Sequence, residues 1–318
     1  LLDGKWVKYD FYVEIPIEVG EMKKGNRDGR WEYFNAPGNT AAIEFYDNGK
    51  KTGDWKAFHF NGRIASKITY VDDEPVGTAF DYFEDGNTAS ITHYRLGLPD
   101  SVYVEYFPNG AKALEGIYDL GIKTGIWKFF HDNGMISHFG LYAANFKTDI
   151  WKYFNDRGNL IAEGEFNNDK ESGQWYFYYG TGQLESIGAF KNGNKDGLWG
   201  YFHENGTVMK EETWAEGKLL EITPYTDEEG NVIQNGTLKN GNGLLINYRP
   251  NGKKFSEGQY ENGYPEGKWV FYDERGRKLT EGILKEGVKE GLWSIFSRSG
   301  NIIDRERYIN GELQEERE

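Results

Sequence analysis

A tryptophan recurs every 24 residues along this chain, and a glycine follows it at a fixed distance. Trp31 and Trp55, then Trp127, Trp151, Trp175 and Trp199, then Trp269 and Trp293 keep that step. Trp6 is displaced by one residue, and Ala79, Tyr103, Thr223 and Leu245 occupy the degenerate positions. Seven residues after each anchor from Trp31 onward stands a Gly, twelve times from Gly38 to Gly300. Asn precedes it at Asn61, Asn109, Asn133, Asn205 and Asn251. Asn-Gly between β-rich runs is a strong hairpin signal, because a two-residue type I′ turn needs φ > 0 twice. Eleven residues after that Gly comes a second turn position, always Gly, Asn or Asp, the residues that tolerate the left-handed region. A repeat of this period makes the whole chain one kind of object, with each unit contacting its neighbours.

No segment shows a sustained 3.6-residue period. The expected fold is all-β: an elongated single-sheet solenoid of about twelve antiparallel β-hairpin repeats. At ~4.8 Å per strand, 24 strands would extend on the order of 110 Å before twist. Residues 1–20 lack the tip glycine and read as a capping or truncated repeat. Residues 21–312 form the array. The stretch 218–245 loses Trp, gains Pro224 and drops two residues, so a kink, bulge or sub-domain boundary is expected there. Residues 313–318 are a charged tail that blunts the last edge or frays.

Composition explains why such a chain needs an unusual core. Hydrophobic residues are only 38%, while aromatics reach 16% and Gly numbers 42. With two-residue tip loops, Tyr103 pairs with Gly116, Trp127 stands opposite Gly140 and Tyr142 opposite Gly125. Each ring would then cover the bare glycine it faces, as in aromatic rescue. The third residue after the anchor points to the opposite face. It is aromatic in eleven units, among them Phe130, Phe154, Tyr178 and Phe202. These four are the candidate partner-binding residues, on a track flanked by Lys128, Lys152, Glu115 and Glu163. A stacking ladder of purely structural use is the alternative.

The run Glu163-Gly164-Glu165-Phe166, Ser172-Gly173-Gln174-Trp175, Tyr178, Gly182 resembles the MORN repeat, in the variant form of bacterial YwqK-like proteins. So does Glu257-Gly258-Gln259-Tyr260 through Gly263, Gly267 and Trp269 to Tyr272 and Gly276. The resemblance covers about residues 20–312. It implies hairpin repeats without catalytic residues of their own, used as scaffolds, lipid-associated modules or protein-binding surfaces. For the YwqK-like group it also implies an antitoxin-type role.

The chemistry-bearing residues add little to this. His59, His131 and His203 share one repeat position, three repeats apart, too distant for a common metal, and read as solvated polar residues. His131 and His138 straddle one tip beside Asp132, which offers at most a two-ligand site. The absence of Cys excludes disulfides and thiolate chemistry. Neither a His-Glu-x-x-His helix nor a Gly-x-Ser-x-Gly elbow occurs. The expectation is a protein that is not an enzyme and uses no cofactor or metal. A net charge of −14 weighs against nucleic acid and anionic lipid. The expected partner is a protein, including an antitoxin or immunity pairing in which an acidic ribbon neutralises a basic effector. The alternative is a cell-envelope glycan stacked on the aromatic ladder. The oligomeric state is left open. The start at Leu1 tilts the expected location towards a bacterial cell envelope or an exported protein, with the cytoplasm as the alternative.

Overall fold

A computed structural model describes residues 2–12, 14–35 and 38–314. The regular elements of the described residues are β-strands throughout. The chain divides into two units, Leu1–Gly158 and Asn159–Glu318. In the first, each strand hydrogen-bonds to the next in an antiparallel meander. It starts with Gly4–Tyr9 against Pro16–Lys23 and ends with Ile136–Ala143 against Phe146–Phe154. Residues 1–20 therefore supply the first hairpin, with a bulge between Lys8 and Tyr9.

The second unit opens with the same meander, from Leu160–Asn167 to Lys218–Ile222. There the ladder breaks. Tyr225–Thr226 and Val232–Ile233 form a separate two-stranded piece. Leu219, Leu238 and Leu245 gather into an aliphatic core with Trp214, Ile222 and Tyr260 packed on it. A regular meander resumes at Gly243–Tyr248 and ends with Glu312–Gln314, which pairs with Arg307–Ile309. The expected charged tail thus begins as a strand, and its residues 315–318 lie outside the described ones. In neither unit does the sheet close on itself as a barrel.

The expected strand register holds, but the two turn types exchange places. Tyr103 pairs with Gly116 and Ser101 with Tyr118. Trp127 pairs with Gly140 and Gly125 with Tyr142. The tip is nevertheless a three-residue loop. Phe107 N–H donates to the Ala111 carbonyl at 2.8 Å, and Gly110 N–H to the Phe107 carbonyl at 2.9 Å. Only Gly110 of this loop has positive φ, at 85°, which is a type I turn closed by a glycine bulge. A bulge leaves Ala113 unpaired between Leu114 and Lys112, and that extra residue restores the register of a two-residue loop. The type I′ geometry sits at the second turn instead. Both central residues have positive φ at Asn48-Gly49, Leu120-Gly121 and Glu216-Gly217. Even Leu and Glu are held there, because the glycine's N–H bonds to the second turn of the preceding repeat: Gly121 to Pro99 at 2.6 Å, and Gly217 to Lys195 at 2.8 Å.

Seven of the tryptophans form the core, each over a glycine of the preceding strand and not over the residue across its own tip hairpin. Trp127 lies on Gly116, and Gly140 carries Trp151. The reason is a bulge. Glu115 pairs with Lys128 and Ile117 with Thr124, so Gly116 alone faces Gly125, Ile126 and Trp127. Gly125 takes φ 67° to make that bulge; it is not a platform for Tyr142. The bulge re-aims the indole back across the preceding strand. Seven strand glycines (Gly20, Gly116, Gly140, Gly164, Gly188, Gly258 and Gly282) sit under the Trp eleven residues later. An added Cβ would come 2.1–2.3 Å from the ring. The seven rings above them are at most 4% exposed. Trp55, with Glu44 in place of the glycine, is only half-buried. Where the geometry is clearest, the indole N–H also donates to the carbonyl ten residues back: Trp175 to Glu165 at 3.1 Å, Trp199 to Ala189 at 3.0 Å and Trp293 to Ile283 at 3.2 Å.

Tip residues expected to be solvated are in fact tied to the next tip. His59 Nε2 meets the Tyr82 carbonyl at 2.7 Å, His131 the Phe154 carbonyl at 3.0 Å and His203 the Thr226 carbonyl at 2.7 Å. Tyr179 does the same from the equivalent position, donating to the Phe202 carbonyl at 2.8 Å. Asn61, Asn109 and Asn133 donate to the carbonyls of Glu84, Asp132 and Asp156, each at 2.7 Å. His131 therefore serves the tip ladder. His138 lies on the tryptophan face, stacked on Phe129 at 4.2 Å and Tyr153 at 5.5 Å. Among the described residues no group of three or more His, Asp or Glu is arranged to hold a metal.

Two outcomes are expected. Gly188→Ala drives a Cβ into the Trp199 ring and should destabilise by about 3 kcal/mol. Gly197→Ala has open space and only a positive φ to offend, and should lose about 1 kcal/mol. Denaturant unfolding followed by Trp fluorescence compares them; equal losses would deny that the ring seals the glycine. The second concerns acid. Burial lowers the His138 pKa from 6.5 to about 4. Between those values the unfolded chain binds a proton that the folded chain refuses, so stability falls as pH drops from 6.5 towards 4. His138→Phe should flatten the melting temperature across that window relative to the unaltered chain.

Candidate interaction surface

The sheet in each unit has two unlike faces. On the tryptophan face a cation lies on most rings. Lys123 stands 4.5 Å from the Trp127 centroid, Lys195 4.3 Å from Trp199 and Lys289 4.5 Å from Trp293. Tyrosines close the sides edge-on, such as Tyr118 at 5.1 Å from Trp127. Charges here are matched. Where Glu212 replaces the platform glycine it is 6% exposed. Its carboxylate accepts from Lys210 at 2.6 Å, the Tyr201 hydroxyl at 2.8 Å and the Trp214 indole at 2.9 Å. Burial alone would raise the Glu212 pKa; Lys210 with these donors outweighs it and holds the carboxyl below its ordinary value. Burial also lowers the Lys195 pKa. A face whose rings are covered by its own cations offers little to a ligand.

The opposite, outer face carries the four aromatics singled out from the sequence. Phe130 and Phe154 lie in the first unit, and Tyr178 and Phe202 in the second. All four are half-buried. Phe130 stands opposite Ile136 and Phe202 opposite Val208 at the tip bulges. Phe154 stacks on Phe139 with centroids 5.9 Å apart. The Tyr178 hydroxyl donates to Glu163 at 3.0 Å, and burial together with that carboxylate pushes its pKa up to about 12. These rings are partly spent on the sheet itself.

The most exposed apolar side chains of the outer face are aliphatic, and the sequence reading did not single them out. In the first unit Ile126 is 55% and Ile150 54% exposed, with Val102 and Ile117 close behind. Val102 pairs with Ile117, and Ile126 with Leu141, so they form one stripe. In the second unit Leu198 is 61% exposed. The available signal was their place next to the anchor: the residue before a buried Trp must emerge on the other side. Charge also differs between units. Around the first unit's stripe, Glu115 is bracketed by Lys112 at 2.8 Å and Lys128 at 3.1 Å. In the second unit the outer face up to Ile222 carries Glu163, Glu165, Glu211 and Glu221.

With this geometry the chain was compared with known proteins. The family model described as MORN repeat variant matches residues 51–72, 123–137 and 171–192. No curated protein matches. Among solved structures, the crystal structure of TcdB2-TccC3 aligns at 11% identity over 98% of this chain and 19% of that one, with a TM-score of 0.17. The crystal structure of TcdB2-TccC3-Cdc42 gives 11%, 98%, 19% and 0.18. A mutant Tc holotoxin pore of Photorhabdus luminescens gives 12%, 94%, 17% and 0.18. This chain spans less than a fifth of those chains, and similarity at that level carries no argument about fold or function. The repeat match, by contrast, falls on the hairpins described above: three segments of the chain match the MORN repeat variant.

Proposed function

We propose that this MORN-variant repeat chain is a non-enzymatic scaffold that binds a protein partner through the outer face of its sheet. One observation carries the reading: the aliphatic stripe Val102, Ile117, Ile126 and Ile150 stands open on one face while the rings of the other are sealed. Contiguous exposed apolar surface on a soluble sheet marks contact with another macromolecule. Aliphatic side chains beside half-buried rings favour a protein partner over a glycan, because sugars stack on open ring faces. An immunity-type pairing with a toxic effector is one form of such binding. The hollows on this face are shallow parts of the stripe itself, lined by Val102, Ile117 and Ile126 and by Ile126, Leu141 and Ile150.

The double substitution Ile126→Asp and Ile150→Asp tests this. Both side chains are more than half exposed, so the melting temperature should change little. Capture of the partner from lysate of the source organism by the immobilised chain should fall by about 2 kcal/mol or more in affinity terms. Capture that survives the double change, but fails when Phe130, Phe154 and Tyr178 become Ala and is directed at glycan fractions, would replace this reading with the glycan one.

A further inference from the structure

We infer that the outer face of residues 160–222, in the second unit, docks a basic protein segment whose cationic and aliphatic side chains share one face. The inference rests on the scaffold reading above and adds the chemistry of the partner.

The surface is apolar at its centre and acidic around it. Leu198 projects from the middle of Asn194–Phe202 and is 61% exposed. Ile187 lies on the adjacent strand, and Tyr176 pairs with it on the strand beyond. Glu165, Glu185 and Glu221 are exposed and Glu211 is half-buried. Alternation and pairing place Glu165, Glu211 and Glu221 on the side of the sheet away from Gly164, Gly188 and Glu212, which face the tryptophan side, while Glu185 occupies the unpaired bulge position at its tip.

Four of the five lysines of this segment are engaged elsewhere, Lys218 over the Tyr264 ring among them, and Lys170 stands exposed at a second turn. Lys210 pairs with Glu212 at 2.6 Å on the tryptophan face, and Lys195 lies over Trp199 there. Lys191 pairs with Glu216 at 2.8 Å at the second turns. Among the described residues none of Glu165, Glu185, Glu211 and Glu221 forms an ion pair. The two faces therefore treat charge in opposite ways. A carboxylate on the tryptophan face is buried and fully matched. On the outer face Glu165 and Glu221 remain exposed, with no cation beside them among the described residues. That arrangement gains nothing for the isolated fold. It does set a negative field beside open apolar surface, which steers and selects a cationic partner.

The test uses fluorescence anisotropy of the full chain with a labelled peptide of three Lys-Lys-Val-Val copies, against its Glu-Glu-Val-Val counterpart. The cationic peptide should bind at least about tenfold more tightly, and weaken at least about tenfold between about 0.05 and 0.5 M salt. Glu165→Lys with Glu221→Lys should weaken it about tenfold, as should Leu198→Ser. Glu286→Lys, on an exposed turn elsewhere in the unit, should change nothing. Unaltered melting temperatures would show that these surface variants fold. Equal binding of the two peptides, or binding indifferent to the double charge reversal, overturns the inference. If partner capture then still depends on Ile126 and Ile150, the scaffold reading stands without it; if capture is indifferent to both sets, both fall.

Discussion

An indole ring laid flat on a bare glycine backbone is the contact on which the rest of this structure depends. A sheet whose strands are half-exposed on both faces has no second layer to bury against, and a hydrophobic fraction of 38%, of which aromatics are 16% of the chain, could not supply an aliphatic one. The Trp over Gly stack substitutes for that layer. The ring covers the neighbouring strand, its N–H reaches a carbonyl of the same strand, and a lysine covers it from above. Each such unit joins one hairpin to the previous one. The core is therefore assembled pair by pair along the chain, as in other repeat proteins.

The same contact explains the exceptions. Glu44 leaves Trp55 without a platform and half-exposed. Glu212 has no tryptophan eleven residues later, since Thr223 stands there, and a matched cluster of Lys210, Tyr201 and Trp214 fills the place. Around Thr223 the ladder gives way to a small aliphatic core of Leu219, Leu238 and Leu245. Loss of the aromatic clamp and loss of the regular ladder occur together. The tips and second turns act as side rails, with His, Asn and glycine N–H groups bridging successive repeats.

The functional consequence is a division of labour between faces. Sealing the tryptophan face with its own cations makes it structural, which leaves the outer face to meet other molecules. The aromatics Phe130, Phe154, Tyr178 and Phe202 were visible in the sequence because their spacing is regular. Their partial burial was not, because Phe139 and Glu163 reach them from other strands. Ile126, Ile150 and Leu198 were missed for the opposite reason. They occupy a position filled by Arg30, Asp54 and Lys268 in other repeats, so no residue type repeats there to draw the eye.

Periodicity and residue type alone determined the hairpin repeat, the pairing register and the place where the array becomes irregular. Spacing in a meander is a local property, and each hairpin counts its own residues. Tertiary structure decided which turn is type I′, which glycine lies beneath which ring, and which face stays open. Those choices depend on bulges that trade one residue against another without changing the count, as at Ala113 and Gly125. They also depend on neighbours one repeat away, whose carbonyls and side chains no single hairpin contains.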